Sequence, residues 1–156
     1  MPIFCCIAII IKLNSKGPVF FRQMRLGWKG RPFKIYKFRT MIENAPDLRN
    51  PDGSAATYSN DPRVTKVGYF LRKWSLDELP QLINVLKGEM SLIGPRPELV
   101  DQINYYTGGE LLRLEVKPGM SGLAQVKGRN KLSSHQRKKY DIEYVRRQSL
   151  KLDLYI

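Results

Sequence analysis

Apolar residues run unbroken from Pro2 to Ile11, and Lys12 ends the run. Ten residues make about 15 Å of helix, about half of a bilayer's hydrocarbon core, so the run is too short to span. It also lacks the basic start and small-residue cleavage site of a signal peptide. A segment dipping into one leaflet and a buried N-terminal helix both fit it, and Lys12 with the basic stretch beyond favours the former. Asn14–Pro18 reads as a turn and Val19-Phe20-Phe21 as a short strand. Gly27 to Gly30 then breaks the Arg22–Arg39 stretch into a hairpin, with Phe33, Ile35 and Phe38 as the apolar members of its second arm. From Glu43 to Asn60 the prolines, asparagines and Gly53 predict a mobile loop or lid. Asp61-Pro62-Arg63 opens an amphipathic helix in which Val67, Phe70, Leu71 and Trp74 share one face, with Lys66, Arg72 and Lys73 off it.

The next stretch, SLDELPQLINVLKGEMSLIGPRP from Ser75 to Pro97, is the densest in signals. Ser75 with Glu78 reads as a capping box, and Asp77 as the cap with Pro80 in the first turn fits almost as well. Leu79, Leu82, Ile83 and Leu86 mark one face of a helix that stops at Gly88. Met90-Ser91-Leu92-Ile93 predicts a short buried strand, and Gly94-Pro95-Arg96-Pro97 a turn that holds Arg96 stiffly. Beyond it, Leu99–Leu114 reads as helical with a break at Gly108-Gly109. Leu123-Ala124-Gln125-Val126 reads as a looped strand among glycines. Lys138–Gln148 reads as a helix with Tyr140, Ile142, Tyr144 and Val145 partly inward, and the end, Leu150 to Ile156, alternates.

Length and composition narrow the class. At 156 residues, with 42% hydrophobic and 26% charged residues, the chain suits one globular domain with a real core. Charge changes the picture more. Lys plus Arg number 27 against 14 Asp plus Glu, a net +13, and Arg22 to Arg39 holds seven basic residues and no acidic one. Such a balance points to polyanionic partners, which nucleic acid, anionic lipid headgroups and diphosphates all satisfy. A basic nucleic-acid-binding module is one such reading, but no helix-turn-helix, zinc or stacking-platform pattern accompanies it. The two cysteines, Cys5 and Cys6, are adjacent in the apolar run, which excludes a disulfide framework and reads as small apolar filler. The single histidine, His135, lies among polar residues and reads as a solvated surface group.

Candidate chemistry gathers in the Ser75–Pro97 unit. Asp77 and Glu78 stand at the positive end of a helix, where the dipole favours ionised carboxylates. Capping alone would explain them, and Arg96 could simply pair with Glu98 or Glu89. A fixed guanidinium beside two carboxylates is also how a metal-bound diphosphate is brought to a nucleophile.

The stretch SLDELPQLINVLKGEMSLIGPRPEL resembles the signature of the bacterial sugar transferases of the monotopic phosphoglycosyl transferase type, which move a sugar-1-phosphate from a UDP-sugar onto polyprenyl phosphate. FKIYKFRTM and the PG-x-x-G-x-x-QV-x-GRN segment are similar to that family's too, so the likeness covers nearly the whole chain. It implies an α+β fold: a compact, mainly helical catalytic domain (residues 14–156) with a small β-hairpin and interfacial amphipathic helices, preceded by a partial re-entrant membrane segment (residues 1–13). Family members enter the membrane, bend at a Ser-Pro pair and return. Pro2 is similar to the proline of that bend, so the chain is expected to hold the returning half alone. The resemblance further implies Asp77 as nucleophile, Mg²⁺ held chiefly by Glu78 and also by Asp77, and phosphate or nucleotide contacts from Arg72, Arg96, Arg129, Lys37 and Arg39. UDP-sugar, polyprenyl phosphate and an anionic membrane surface are the implied partners, with no nucleic acid expected and a homodimer left open. The implied place is the cytoplasmic face of the bacterial inner membrane. A truncated homologue that binds the membrane surface without turnover is the other reading.

Overall fold

The computed structural model describes residues 2–56, 58, 60–128 and 132–156. Its first element is a helix, α1 (Pro2–Asn14). One face of α1 belongs to the body: Ile7 and Ile11 are buried with Phe38 and Leu71, and Phe4, Val19, Val67, Leu76 and Leu79 complete this cluster. The opposite face, with Ile3, Ile9, Ile10 and Leu13, is exposed. Cys5 and Cys6 lie outside the core as well. They are not filler, because the helix turns only its Phe4–Ile7–Ile11 stripe inward.

The expected hairpin is present as β1 (Phe20–Leu26) and β2 (Pro32–Phe38), antiparallel with Phe20 opposite Phe38 and Leu26 opposite Pro32. Phe33 and Ile35 of β2 point into a second cluster with Met90, backed by Val85 and Met120. The amphipathic helix is α2 (Lys66–Lys73), capped by Thr65, whose side chain accepts from the Gly68 N–H. Only part of its predicted apolar face is covered: Leu71 is buried, while Phe70 and Trp74 point outward. Gly68 permits α2 to sit directly on the chain after β2, since a Cβ there would lie 2.0 Å from the Thr40 carbonyl oxygen.

The Ser75 capping box does not form. Ser75 instead ends α2, in the left-handed region at φ 55°, with its N–H bonded to the Arg72 carbonyl at 3.2 Å. This is a helix-terminating turn, which redirects the chain before any new helix can be capped. Asp77 is likewise no cap: it lies inside a 3₁₀ stretch, Leu76–Gln81, that gives way to a short helix, α3 (Leu82–Leu86). Most of the predicted apolar face is turned outward here: Leu79 packs on the first cluster, but Leu82, Ile83 and Leu86 are exposed, whereas Gln81 and Asn84 are buried. Asn84 takes the inner position because the unpaired edge of β2 needs hydrogen-bonding groups that leucine lacks. Its Oδ1 accepts from the Tyr36 N–H (3.1 Å), and its Nδ2 donates to the Lys34 carbonyl (2.8 Å) and to Glu89 Oε2 (2.7 Å).

The remainder is built around a second small sheet, β3 (Ser91–Ile93) parallel to β4 (Gly119–Ser121). Two 3₁₀ stretches, Val100–Tyr105 and Gly108–Leu114, fill the expected helical region, and its break falls at Tyr106-Thr107, just before the glycines. The predicted strand at Leu123 is a helix, α4 (Leu123–Lys127), since the pairing is spent on Gly119–Ser121 and Gly122 starts a new helix. Helix α5 (Ser134–Arg147) has a capping box at Ser133 and Gln136, and it buries Lys138, Asp141 and Tyr144. The alternating C-terminal segment is also helical, α6 (Leu150–Tyr155), because the Ser149 side chain caps it. Mixed helix and strand, with two two-stranded sheets among the described residues, is the α+β class expected. Among the described residues no helix is long and apolar enough to cross a membrane.

Candidate active site

β2, α2 and the Leu76–Gln81 turn bring their charged residues to one place. Glu78 is the electrostatic centre: its Oε1 accepts from Lys37 Nζ at 2.7 Å and from Arg96 Nη2 at 2.8 Å. Lys37 is placed by β2, whose outer edge Asn84 holds; Arg96 is placed by the Pro95–Pro97 turn. That turn is packed backbone to backbone. A Cβ on Gly119 would lie 2.1 Å from the Gly94 nitrogen, and the Gly119 N–H donates to the Pro95 carbonyl.

Asp77 is buried beside this pair, and among the described residues nothing donates a hydrogen bond to its carboxylate. Burial raises its pKa; Lys37 opposes the rise most strongly, Glu78 adds to it, and Arg72 and Arg96 pull it back down. Burial would also raise the pKa of Glu78, but the charges of Arg96 and Lys37 and their hydrogen bonds overcome it and hold the carboxylate at about 2. Desolvation, then Arg96, pushes the Lys37 ammonium down to about 8, against the pull of Glu78. The two neighbouring carboxylates therefore differ. Glu78 is fixed and fully ionised, while Asp77 is unengaged, desolvated and surrounded by cations.

Arg72 joins from the last turn of α2, where its Nε donates to Thr40 Oγ1 at 2.9 Å. The Gly68–Thr40 contact sets this geometry one turn earlier in the same helix. Arg39 is elsewhere engaged: it is buried, and its guanidinium donates to Ser15 Oγ (2.9 Å), the Ser15 carbonyl (3.0 Å) and the Pro18 carbonyl. It ties the link between α1 and β1 to the body rather than facing Asp77 and Glu78, because β2 ends at Phe38 and Arg39, just past the strand, is taken up by the Ser15 and Pro18 acceptors. Arg129 lies outside the described residues. The loop before Asp61 is tethered by Arg63, which is buried against Asp61 (2.6 Å) and also donates to the carbonyls of Pro46 and Ala56. Sequence reasoning missed Asn84 and Thr40. An Asn amid leucines on a helix predicted to be apolar was the signal for the first; Thr40 offered none.

Among the described residues no three His, Cys, Asp or Glu side chains cluster as a self-sufficient metal site. Mg²⁺ does not require one, since it is held by one or two carboxylates with water and substrate phosphate completing the shell. The unengaged Asp77 and the Glu78 Oε2, which accepts no hydrogen bond among the described residues, meet that need. A separate groove of about 530 Å³, lined by Glu110, His135, Lys138 and Arg146 among others, includes neither dyad residue.

One bare carboxylate beside a lysine and two arginines, with a second carboxylate holding the lysine and one of those arginines in place, is an arrangement suited to a phosphorylated anion. The chain belongs to the bacterial sugar transferase family, whose model matches residues 1–156. It is 47% identical over 163 residues to the UDP-glucose:undecaprenyl-phosphate glucose-1-phosphate transferase of Escherichia coli (strain K12), covering 99% of this chain and 34% of that protein. Similarity extends to an uncharacterized sugar transferase, EpsL, of Bacillus subtilis (strain 168), at 44% identity with 99% and 77% covered. The exopolysaccharide production protein ExoY of Rhizobium meliloti (strain 1021) is 42% identical, with 99% and 74% covered. The chain thus spans about a third of the first relative and about three quarters of the other two.

Proposed function

We propose that the chain transfers a sugar-1-phosphate from a UDP-sugar to polyprenyl phosphate, with Asp77 as nucleophile. One observation carries this reading: the buried Asp77 carboxylate has no hydrogen-bond donor among the described residues, while Lys37, Arg72 and Arg96 act on it. A carboxylate solvated by fixed cations rather than by direct hydrogen bonds keeps its lone pairs available for attack. An Asp77 oxygen attacks the phosphorus that carries the sugar, and the bond from that phosphorus to the bridging oxygen breaks. The electron pair leaves with UMP, and the phosphosugar remains on Asp77 as an acyl phosphate, a mixed anhydride. An oxygen of polyprenyl phosphate then attacks the same phosphorus, forming a diphosphate and restoring the carboxylate.

Lys37 and Arg96, oriented by Glu78, and Arg72, held by Thr40, offset the charge of the diphosphate as it approaches. Mg²⁺, held chiefly by Glu78 and also by Asp77, would supply further neutralisation of the phosphate oxygens. The names of the relatives support the acceptor and the sugar-phosphate transfer.

The exposed apolar face of α1, with Leu13 at 83% exposure, supports lodging this helix in one leaflet of the cytoplasmic membrane face. The basic hairpin would then meet anionic headgroups.

The direct test is to mix the chain with a UDP-sugar in the absence of lipid acceptor, quench and digest. Mass spectrometry should find the phosphosugar on the peptide bearing Asp77. Asp77→Asn should lose both adduct and UMP release while its circular dichroism is unchanged. Wild-type rates of UMP release from that variant refute the nucleophile.

A further inference from the structure

Behind the dyad lies a buried cluster that the transfer chemistry does not use. Arg113, on the 3₁₀ stretch Gly108–Leu114, has a side chain only 3% exposed. Its Nη2 donates to Asp141 Oδ2 of α5 at 2.5 Å and to the Arg96 carbonyl at 3.0 Å. Its Nη1 donates to Tyr106 Oη at 2.7 Å and pairs with Glu98 Oε2, which also accepts from Tyr106 Oη at 2.8 Å. Lys138 crosses the Tyr106 ring at 5.0 Å and pairs with Glu110 at 3.0 Å, closing the cluster from α5.

A buried ion cluster is a poor way to gain stability, because desolvation of its charges consumes much of their attraction. What it does supply is geometry. A guanidinium presents its donors in a rigid planar fork, so one side chain can fix several acceptors at set angles. Here those acceptors bracket one short segment. The Arg96 carbonyl and the Glu98 carboxylate are both tied to α5 through Arg113, and Pro95 and Pro97 stiffen the chain on either side of Arg96. The side chain of Arg96 leaves this segment in the other direction, to Glu78 Oε1. Arg113 itself makes no hydrogen bond or ion pair with Asp77 or Glu78 among the described residues.

We propose that Arg113 is a positioning residue: anchored on Asp141 and Glu98, it grips the Arg96 carbonyl and so aims the Arg96 guanidinium at the dyad. The proposal deepens the reading of Arg96 as part of the phosphate-handling site and rests on it. It extends the working site across the molecule to α5, whose inward row of Lys138, Asp141 and Tyr144 then serves orientation as well as packing. Burial, against the pull of Arg113, raises the Asp141 carboxyl to about 6, as expected where geometry has been kept at an electrostatic cost.

The experiment uses the full chain with Arg113→Lys, which keeps a charge but loses the fork. Two measurements are made: kcat and KM for UMP release, and the ¹⁵N order of the Arg96 Nε–H, assigned by its disappearance in Arg96→Ala. Arg113→Lys should lower kcat about 10- to 100-fold, the scale of a misplaced catalytic group, and disorder the Arg96 signal. In an Arg96→Ala background the same substitution should have no added effect on kcat, because both act through one side chain. A variant that keeps wild-type kcat and an ordered Arg96, or whose loss multiplies with that of Arg96→Ala, overturns the proposal. Should Arg113→Lys not fold, Asp141→Asn and Tyr106→Phe, which keep the shapes of the cluster, are judged by the same two criteria. A wild-type chain that releases no UMP counts against the transfer reading alone, and the Arg96 signal still decides the positioning role.

Discussion

Replacing Asn84 should cost far more than its place among leucines suggests. Asn84 is fully buried and serves three partners: the Tyr36 N–H, the Lys34 carbonyl and Glu89 Oε2. Asn84→Ala removes the partners of one backbone donor and one backbone acceptor at a buried strand edge, each worth about 1–3 kcal/mol when left unsatisfied. Allowing for water entering the space, a loss of about 3 kcal/mol is expected. For a chain of this size that lowers Tm by about 6–12 °C. Asn84→Asp separates hydrogen bonding from volume, since an oxygen then faces the Lys34 carbonyl and the Glu89 carboxylate. The introduced carboxyl is held neutral, so its folded pKa lies above its unfolded one. Its contribution to stability is therefore largest below the unfolded pKa and is lost as pH rises through the folded pKa. Urea unfolding of both variants and wild type at pH 4.5 and 7.5 checks this. Asn84→Ala within about 0.5 kcal/mol of wild type, or an Asn84→Asp midpoint that does not improve relative to wild type on acidification, would refute the edge-capping argument. Activity should follow, because Lys37 is the next residue after Tyr36 on the strand that Asn84 holds.

Three further outcomes follow from the site. EDTA should stop UMP release and Mg²⁺ restore it, and Glu78→Gln should raise the Mg²⁺ required; full turnover in EDTA would remove the ion from the reaction. Arg96→Lys should lose about 10- to 100-fold in kcat/KM, equivalent to ~1.4–3 kcal/mol of oriented, charge-assisted hydrogen bonding; unchanged kinetics would reduce Arg96 to long-range charge. Asp141, raised to about 6, binds its proton more tightly in the folded than in the unfolded chain. Its contribution to stability should therefore decline as pH rises from about 4 to about 6, and a urea-midpoint series should show that slope vanish in Asp141→Asn.

The sequence carried the site better than it carried the turns. Asp77, Glu78 and Arg96 stood out locally through helix-end and proline-fixed positions, their roles came from the resemblance, and the structure brings them together with Lys37 and Arg72. Ser75 misled because a serine three residues before a glutamate fits a cap equally well whether or not the preceding helix has claimed it as its terminus. The Leu82–Ile83–Leu86 face misled because periodicity reports which residues share a side, not which side is inward. That choice was made by a strand edge 48 residues away in sequence, at Tyr36. Arg39 and Lys37 read as equals in the basic stretch, and only tertiary neighbours separate a charge paired with Glu78 from one spent on the Ser15 and Pro18 carbonyls. Leu123–Val126 carried strand-like residues in too short a run for propensity to outweigh the pairing already made by Gly119–Ser121.

The packing of α1 has a consequence for distance. Its inner residues Phe4, Ile7 and Ile11 share a cluster with Phe38, the residue immediately after Lys37, and Phe4 and Phe38 lie ring to ring at 5.3 Å. Helix α1 and the end of β2 that carries Lys37 are therefore packed as one unit, and Arg39 ties the link between α1 and β1 to it. If α1 rests in a lipid leaflet, the carboxylates beside Lys37 are carried at a set height above it. A molecule built this way acts as a gauge. It would accept a headgroup that presents its phosphate at that height and pass over one held deeper or farther out, so that selection among lipids could rest on depth before any side chain touches the head.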